Sequence, residues 1–239
     1  MLDVLMMHVM RLNPLLAQAG DALERAPVEG EGLGNLMSVL FIGVPAGVGL
    51  AAASGFRVFL PLFVTSLAIN MNMTDSIPVI NELPIGEGFD WLGSDIATVI
   101  LGIATAVEVG GYYVPWVDNL LDTIATPAAA IAGTTAMAAL MGDMDPSVKW
   151  VMAIVAGGGV AGSVQFLTVG TRAASTATTG GVGNPVVSTA EAGGSLLITI
   201  LVIVVPIVAG VVALCVLWWV FKKLFRRKKK AAEAAAAAG

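Results

Sequence analysis

Long apolar runs alternate along this chain with short polar turns, and that alternation sets the reading of everything else. Five runs, 36–54, 95–116, 119–141, 148–169 and 194–221, come close to the roughly 20 residues that a bilayer core demands of a helix. Two further segments, 58–70 and 173–190, are too short or too polar for a plain crossing. In the first, Pro61 breaks the helical ladder soon after Arg57, so the segment is either a tilted span, which would raise the count to six, or a half-helix returning to the side it came from. The second, rich in Ser, Thr and Gly with Asn184-Pro185, is either an exposed loop or irregular backbone sheltered at membrane depth. The pattern predicts an all-α polytopic membrane bundle of about five full spans plus two re-entrant or broken segments. Ahead of it, Leu2, Leu5, Met6, Val9, Met10 and Leu12 recur at helical spacing with Asp3, His8 and Arg11 elsewhere. That is an amphipathic helix at the interface rather than a cleaved signal peptide. The chain divides into 1–34 (this helix and a linker), 35–221 (the transmembrane region) and 222–239 (a basic, low-complexity tail).

One frame occurs twice. G-x-x-A-G-x7-G-x-R is met at Gly43, Ala46, Gly47, Gly55 and Arg57, and again at Gly158, Ala161, Gly162, Gly170 and Arg172. Each copy is a glycine-notched apolar run ending in Gly-x-Arg. Two halves, about 36–116 and 148–221, flank a connector at 119–141. Five spans counted back from a cytoplasmic C-terminus place Lys149 inside, the N-terminus outside, and the two copies in opposite directions. The expectation is an inverted repeat with a site at broken helices. Gly43 and Gly47 also offer a small-residue face that suits a homodimer.

Composition agrees and adds orientation. The chain is 57% hydrophobic and 12% charged, with a mean hydropathy of +0.88; soluble domains carry roughly 25% charged residues. The net charge of −5 hides a segregation. Lys222, Lys223, Arg226, Arg227, Lys228, Lys229 and Lys230 follow Trp218-Trp219 in one run, an aromatic belt and a polybasic stem. The positive-inside rule places that end in the cytoplasm, and the same run contacts anionic lipids. Nucleic acid is not an expected partner. With one cysteine, Cys215, and one histidine, His8, there is no intrachain disulfide, no expected metal or cofactor site and no Ser-His or Cys-His pair.

The candidate chemistry is therefore charge inside a membrane. Arg57 and Arg172, at symmetry-related positions after Gly55 and Gly170, pair with the polar residues Ser175 and Thr176 as a candidate substrate-binding set. Guanidiniums beside helix N-termini suit a carboxylate, a phosphate or a lipid headgroup; the plainer alternative is that each arginine neutralises an internal carboxylate. Glu108, thirteen residues into its span, is a candidate ion or proton carrier or else half of a structural ion pair. Tyr112 lies four residues on, within hydrogen-bonding reach. Asp118 and Asp122 are a cation or proton relay if they face the same cavity, and helix-start carboxylates otherwise.

The runs G-F-R-V-F-L-P-L at 55–62 and E-V-x-x-Y-Y-x-P-W-V-D-N-L-L-D-T-I-A-T-P at 108–127 resemble the bacterial membrane family DUF4126, over roughly 36–215. The resemblance implies a polytopic inner-membrane protein and brings no activity with it. The leading expectation is a small transporter or channel-like permease for an anionic solute or lipid headgroup. The alternative is a non-transporting scaffold that recruits lipid or a partner. A lipid-acting enzyme is weaker, because Glu108, Asp118 and Asp122 would have to act without a nucleophile–base pair.

Overall fold

A computed structural model describes residues 29–71, 73, 83–86, 88–114, 117–215, 218, 219 and 222. The amphipathic helix expected before residue 28 and most of the basic tail lie outside the described residues. The chain divides into two units, Met1–Met37 and Ser38–Gly239. Within the first, helix α1 (Glu29–Ser38) begins.

The second unit is built from helices alone among its described residues. A π-helical stretch, Val39–Gly43, leads into α2 (Val44–Phe56), and α3 (Leu60–Asn70) follows. A 3-10 turn at Asp90–Gly93, with Trp91 exposed as an interfacial anchor should be, opens α4 (Asp95–Gly111). Next come α5 (Val117–Ala139), α6 (Pro146–Met152), a second π-helical stretch (Ala153–Gly158), α7 (Gly159–Thr179) and α8 (Asn184–Val204). After a break at Val205 a last helix, α9, covers Pro206–Cys215. Three helical runs, Leu33–Phe56, Pro146–Thr179 and Asn184–Val204, are long and apolar enough to cross a membrane. The distribution of side chains is that of a membrane bundle: Ile96, Val99, Ile100, Ile103 and Val107 form an outward apolar stripe on α4, while Arg57, Glu108, Arg172 and Glu191 are buried.

Both copies of the repeated frame begin at the end of a π-helical stretch, at Gly43 and at Gly158. Their direction corrects the expected topology. Gly43 packs on Leu140 and Gly47 on Met137, so α2 is antiparallel to α5. Gly157 packs on Gly133, Gly158 on Thr134, and Arg172 reaches Asp122, so α7 is antiparallel to α5 as well. Hence α2 and α7 run the same way, with Gly55 against Ala161 and Val164. The two copies are parallel, not inverted. The reason is α3, which leads back to the end from which α2 came: Ile69 packs on Gly93, and Asn70 Nδ2 donates to Asp95 at 2.7 Å, at the start of α4. That adds one reversal to the five-span count. It also brings the start of α2 and α9 to one end, with Pro45 against Gly210, instead of opposite ends. Three hairpins result, α2/α3, α4/α5 and α7/α8, with their tips at the other end. Parallel repeats about an axis along the membrane normal are a known transporter plan.

The second helix break is also corrected. After Arg57 the chain meets Pro61, and α3 starts with that proline in its first turn. After Arg172 it meets Ala173-Ala174-Ser175-Thr176, which a helix accepts, and α7 runs unbroken to Thr179. It stops where Gly180 and Gly181 take positive φ (+64° and +92°) and Pro185 restarts the chain. Residues 173–190 are thus neither a loop nor a re-entrant piece but the tip of a helical hairpin. The Gly43 and Gly47 face that suggested a homodimer is used within the chain.

The end opposite the tips is closed by backbone. Gly86 N–H donates to the Ala139 carbonyl (3.0 Å), Gly142 N–H to that of Pro84 (2.8 Å), and Lys149 Nζ to that of Gly142 (2.8 Å).

Candidate functional site

Beneath the three hairpin tips, five helices bring buried charge to one place. Arg57 ends α2 in an extended conformation (φ −144°, ψ 123°). Its Nη2 donates to the Ser188 carbonyl (2.8 Å) and hydroxyl (2.6 Å) and lies 3.4 Å from Glu191 Oε2. Arg172, mid-helix on α7, directs Nε (3.3 Å) and Nη2 at the same Glu191 carboxylate, and its Nη1 lies 3.4 Å from Asp122 Oδ1. A single carboxylate therefore bridges both guanidiniums. Both also stack on the Tyr112 ring, with Cζ 4.0 Å (Arg57) and 3.8 Å (Arg172) from its centroid. Arg57 is 1% exposed and Arg172 4%, so these contacts act in a dry setting where ion pairing and cation–π attraction are strong.

The other expected residues take different roles. Glu108 accepts from Val58 N–H (2.7 Å) and Phe59 N–H (3.0 Å). It holds the two residues that lead from Arg57 into α3, where free N–H groups precede the positive helix end. Tyr112 does not bond Glu108 as expected; its hydroxyl is engaged by Asp122 instead. Asp118 accepts from Asn184 Nδ2 (2.8 Å), which also donates to Thr176 Oγ1 (3.0 Å), so this trio ties the α7/α8 tip to the start of α5. Asp118 and Asp122 thus do not form a line together: one holds the tip, the other faces Arg172. Ser175 stands outside the cluster, its hydroxyl packed beside Gly183. Gly55 is a packing residue. Gly170 sits on an open face of α7, with nothing near the position a side chain would take.

Glu191, Ser188 and Asn184 escaped the sequence reading. The last span was drawn from residue 194, leaving Glu191 just outside it. The signal was present: Ser188, Glu191, Ser195 and Thr199 repeat at helical spacing as one polar stripe on α8, and all four are buried.

Four carboxylates (Glu108, Asp118, Asp122, Glu191) thus surround two guanidiniums, yet donors remain in surplus locally. Arg57 Nε and Nη1 and Arg172 Nη1 are buried without a hydrogen-bond acceptor, against one acceptor without a donor, Asp122 Oδ1, which lies 3.4 Å from Arg172 Nη1. Buried N–H groups of this kind mark a place for an acceptor oxygen. Among the described residues no group of three or more His, Cys, Asp and Glu is placed to hold a metal ion. The model of a family described as Domain of unknown function (DUF4126) matches residues 44–226, from α2 into the basic tail. The chain belongs to this family. Every residue of the cluster lies inside the DUF4126 region. No curated protein and no solved structure matches the chain.

The Tyr112 ring gives the cluster its first test. Tyr112→Leu, which removes the surface on which both guanidiniums rest, is expected to cost about 2 kcal/mol. Tyr112→Phe, which keeps the ring and loses one hydroxyl contact, should cost about 1 kcal/mol. Unfolding in mixed micelles ranks the two, and equal losses would show that the ring faces do not matter.

Proposed function

We propose that this protein is a small membrane permease for an oxyanion, in which Arg57 and Arg172 bind the substrate and Glu191 is the internal carboxylate that the substrate displaces. The observation that carries the reading is the Glu191 carboxylate seated between two buried guanidiniums. It occupies the position that a substrate carboxylate or phosphate would take. The role first given to Glu108 passes to Glu191, since Glu108 is committed to the start of α3. Displacing Glu191 would leave its charge buried without a partner, and a proton that enters with the substrate offsets that charge, so transport is proton-coupled. The protein lies in the bacterial inner membrane with the basic tail in the cytoplasm, against anionic lipid; the hairpin tips then face the periplasm.

Uptake by proteoliposomes of benzoate, succinate and inorganic phosphate tests this. Uptake of at least one probe, raised by an inward acid gradient, is expected. It should fall by about a hundredfold in Arg57→Ala and Arg172→Ala, and Glu191→Gln should remove its dependence on the gradient. Uptake that survives both arginine substitutions would remove the proposal.

One observation favours a second reading, a non-transporting scaffold: each guanidinium already has a carboxylate and the Tyr112 face. No probe would then be taken up, while neutralising Lys222, Lys223 and Arg226 to Lys230 would abolish binding to anionic vesicles.

A further inference from the structure

Between α7 and α8, below their shared tip, the helices diverge around a cavity of about 1050 Å³. Its floor is α2, at Ala52 and Phe56. Its walls are apolar, with Leu167 on α7 and Leu197 on α8, and Gly170 and Gly194 keep it open because nothing occupies the space beside either. The charged group on its wall is Glu191, the carboxylate that both arginines hold. Glu191 is seven residues into α8 from Asn184, about 10 Å from the helix end. In a bilayer with a hydrocarbon core of about 30 Å, whose midplane is about 15 Å from either face, that depth lies nearer the midplane than the headgroups. The cavity runs along α8 from Val186 near the tip to Ile198, with the Glu191 charge between its ends and the apolar stretch at Leu197 beyond it.

We infer that the substrate is a single-chain amphiphile with a carboxylate head, of the fatty-acid class, taken from the membrane with its chain in this cleft. The inference rests on the permease reading and names its substrate class. Charge complementarity sets the head: behind Glu191, which lines the cleft, lie three buried N–H donors without an acceptor (Arg57 Nε and Nη1, Arg172 Nη1) against one acceptor in the same state, Asp122 Oδ1, a balance that calls for an oxyanion. Volume admits the tail: at about 1050 Å³ the cleft is at the upper end of what holds one small ligand, room enough for a single acyl chain. The exchange balances: the amphiphile arrives as its neutral acid, its proton passes to the Glu191 carboxylate, and the new carboxylate takes the two guanidiniums. No net charge enters the membrane.

A diazirine-bearing long-chain fatty acid, photolysed with the full-length protein in nanodiscs and mapped by peptide mass spectrometry, tests this. Labels are expected on α7 and α8 around Leu167 and Leu197, displaced by unlabelled fatty acid. Gly170→Leu and Gly194→Leu, whose Cβ atoms have nothing within 4 Å and whose side chains would project into the cleft, should lower labelling by about tenfold or more. Labelling unchanged by both substitutions, or spread over all lipid-facing helices without competition, would overturn the inference and identify ordinary surrounding lipid. Displacement by butyrate or inorganic phosphate as effective as by long-chain fatty acid would also overturn it, yet leave a permease for soluble anions standing. Should either glycine variant misfold, the competition on the unaltered protein still decides.

Discussion

Glu191→Leu is expected to lower the free energy of unfolding by about 3–5 kcal/mol, the largest loss of any single substitution in the charged cluster. The side chain that goes accepts from two nitrogens of Arg172 and is the carboxylate 3.4 Å from Arg57. Both guanidiniums would stay buried, with the Ser188 hydrogen bonds of Arg57, the Asp122 contact of Arg172 and the Tyr112 ring as their remaining support. Arg172→Met should cost less, because Glu191 keeps Arg57. Replacing all three, Arg57→Met, Arg172→Met and Glu191→Leu, should recover most of the loss, since an apolar core carries no desolvation penalty. Denaturing-detergent titration in mixed micelles gives the ranking. A double-mutant cycle between Arg172→Met and Glu191→Leu should return at least about 1.5 kcal/mol of coupling. A Glu191→Leu protein within about 1 kcal/mol of the parent would mean that water reaches the arginines and that the bridge contributes little.

The same cluster shows what could be seen in the amino-acid sequence. Arg57 and Arg172 stood out because two arginines closing one repeated frame are hard to place in lipid, and the structure brings both to one tyrosine. Tyr112 was legible as a neighbour of Glu108 by helical spacing, but spacing does not say which face a ring presents, and the N–H groups leading into α3 outcompeted it. Glu191 was hidden by a span boundary: hydropathy locates where a helix becomes apolar, not where it begins, and α8 starts ten residues before the drawn span. Direction was lost through parity. A short helix such as α3, 11 residues long, falls below the length at which a crossing is recognised, yet it reverses the chain. Every element after it then points the other way, which turned parallel copies into an expected inversion.

The copies being parallel moves the functional question from the midplane to the tips. An inverted pair would have set Arg57 and Arg172 on opposite sides of a central pocket. Parallel copies set them side by side at one depth, close enough for a single carboxylate to hold both. The π-helical stretch that opens each copy is at the other end of its helix, near the Gly142 turn, and such stretches shift a helix face by part of a turn. In both copies the stretch contains glycine that packs on α5, Gly43 in the first and Gly157 and Gly158 in the second.

Gly133→Val and Gly157→Val should each cost about 3 kcal/mol, and more where the helices cannot part. These two glycines face one another across α5 and α7. A side chain on Gly133 would meet the Gly157 carbonyl and Ala161, and one on Gly157 would meet the Gly133 carbonyl and Met137. Backbone atoms cannot rotate out of the way as a flexible side chain can, so the helices must separate. In lipid there is no hydrophobic drive to hold them, because the association rests on close packing. Asp122 and Arg172 lie on these helices towards the tips, so parting α5 from α7 should also lengthen their 3.4 Å contact. Gly159→Val and Gly162→Val are the controls, on the same helix with nothing nearby, and should stay within about 0.5 kcal/mol of the parent. Thermal unfolding in detergent, with a Cys pair at 122 and 172 reporting separation by cross-linking yield, measures both effects. If Gly133→Val proves as stable as Gly162→Val, α5 and α7 are not in backbone contact and the parallel arrangement of α2 and α7 loses one of its two supports.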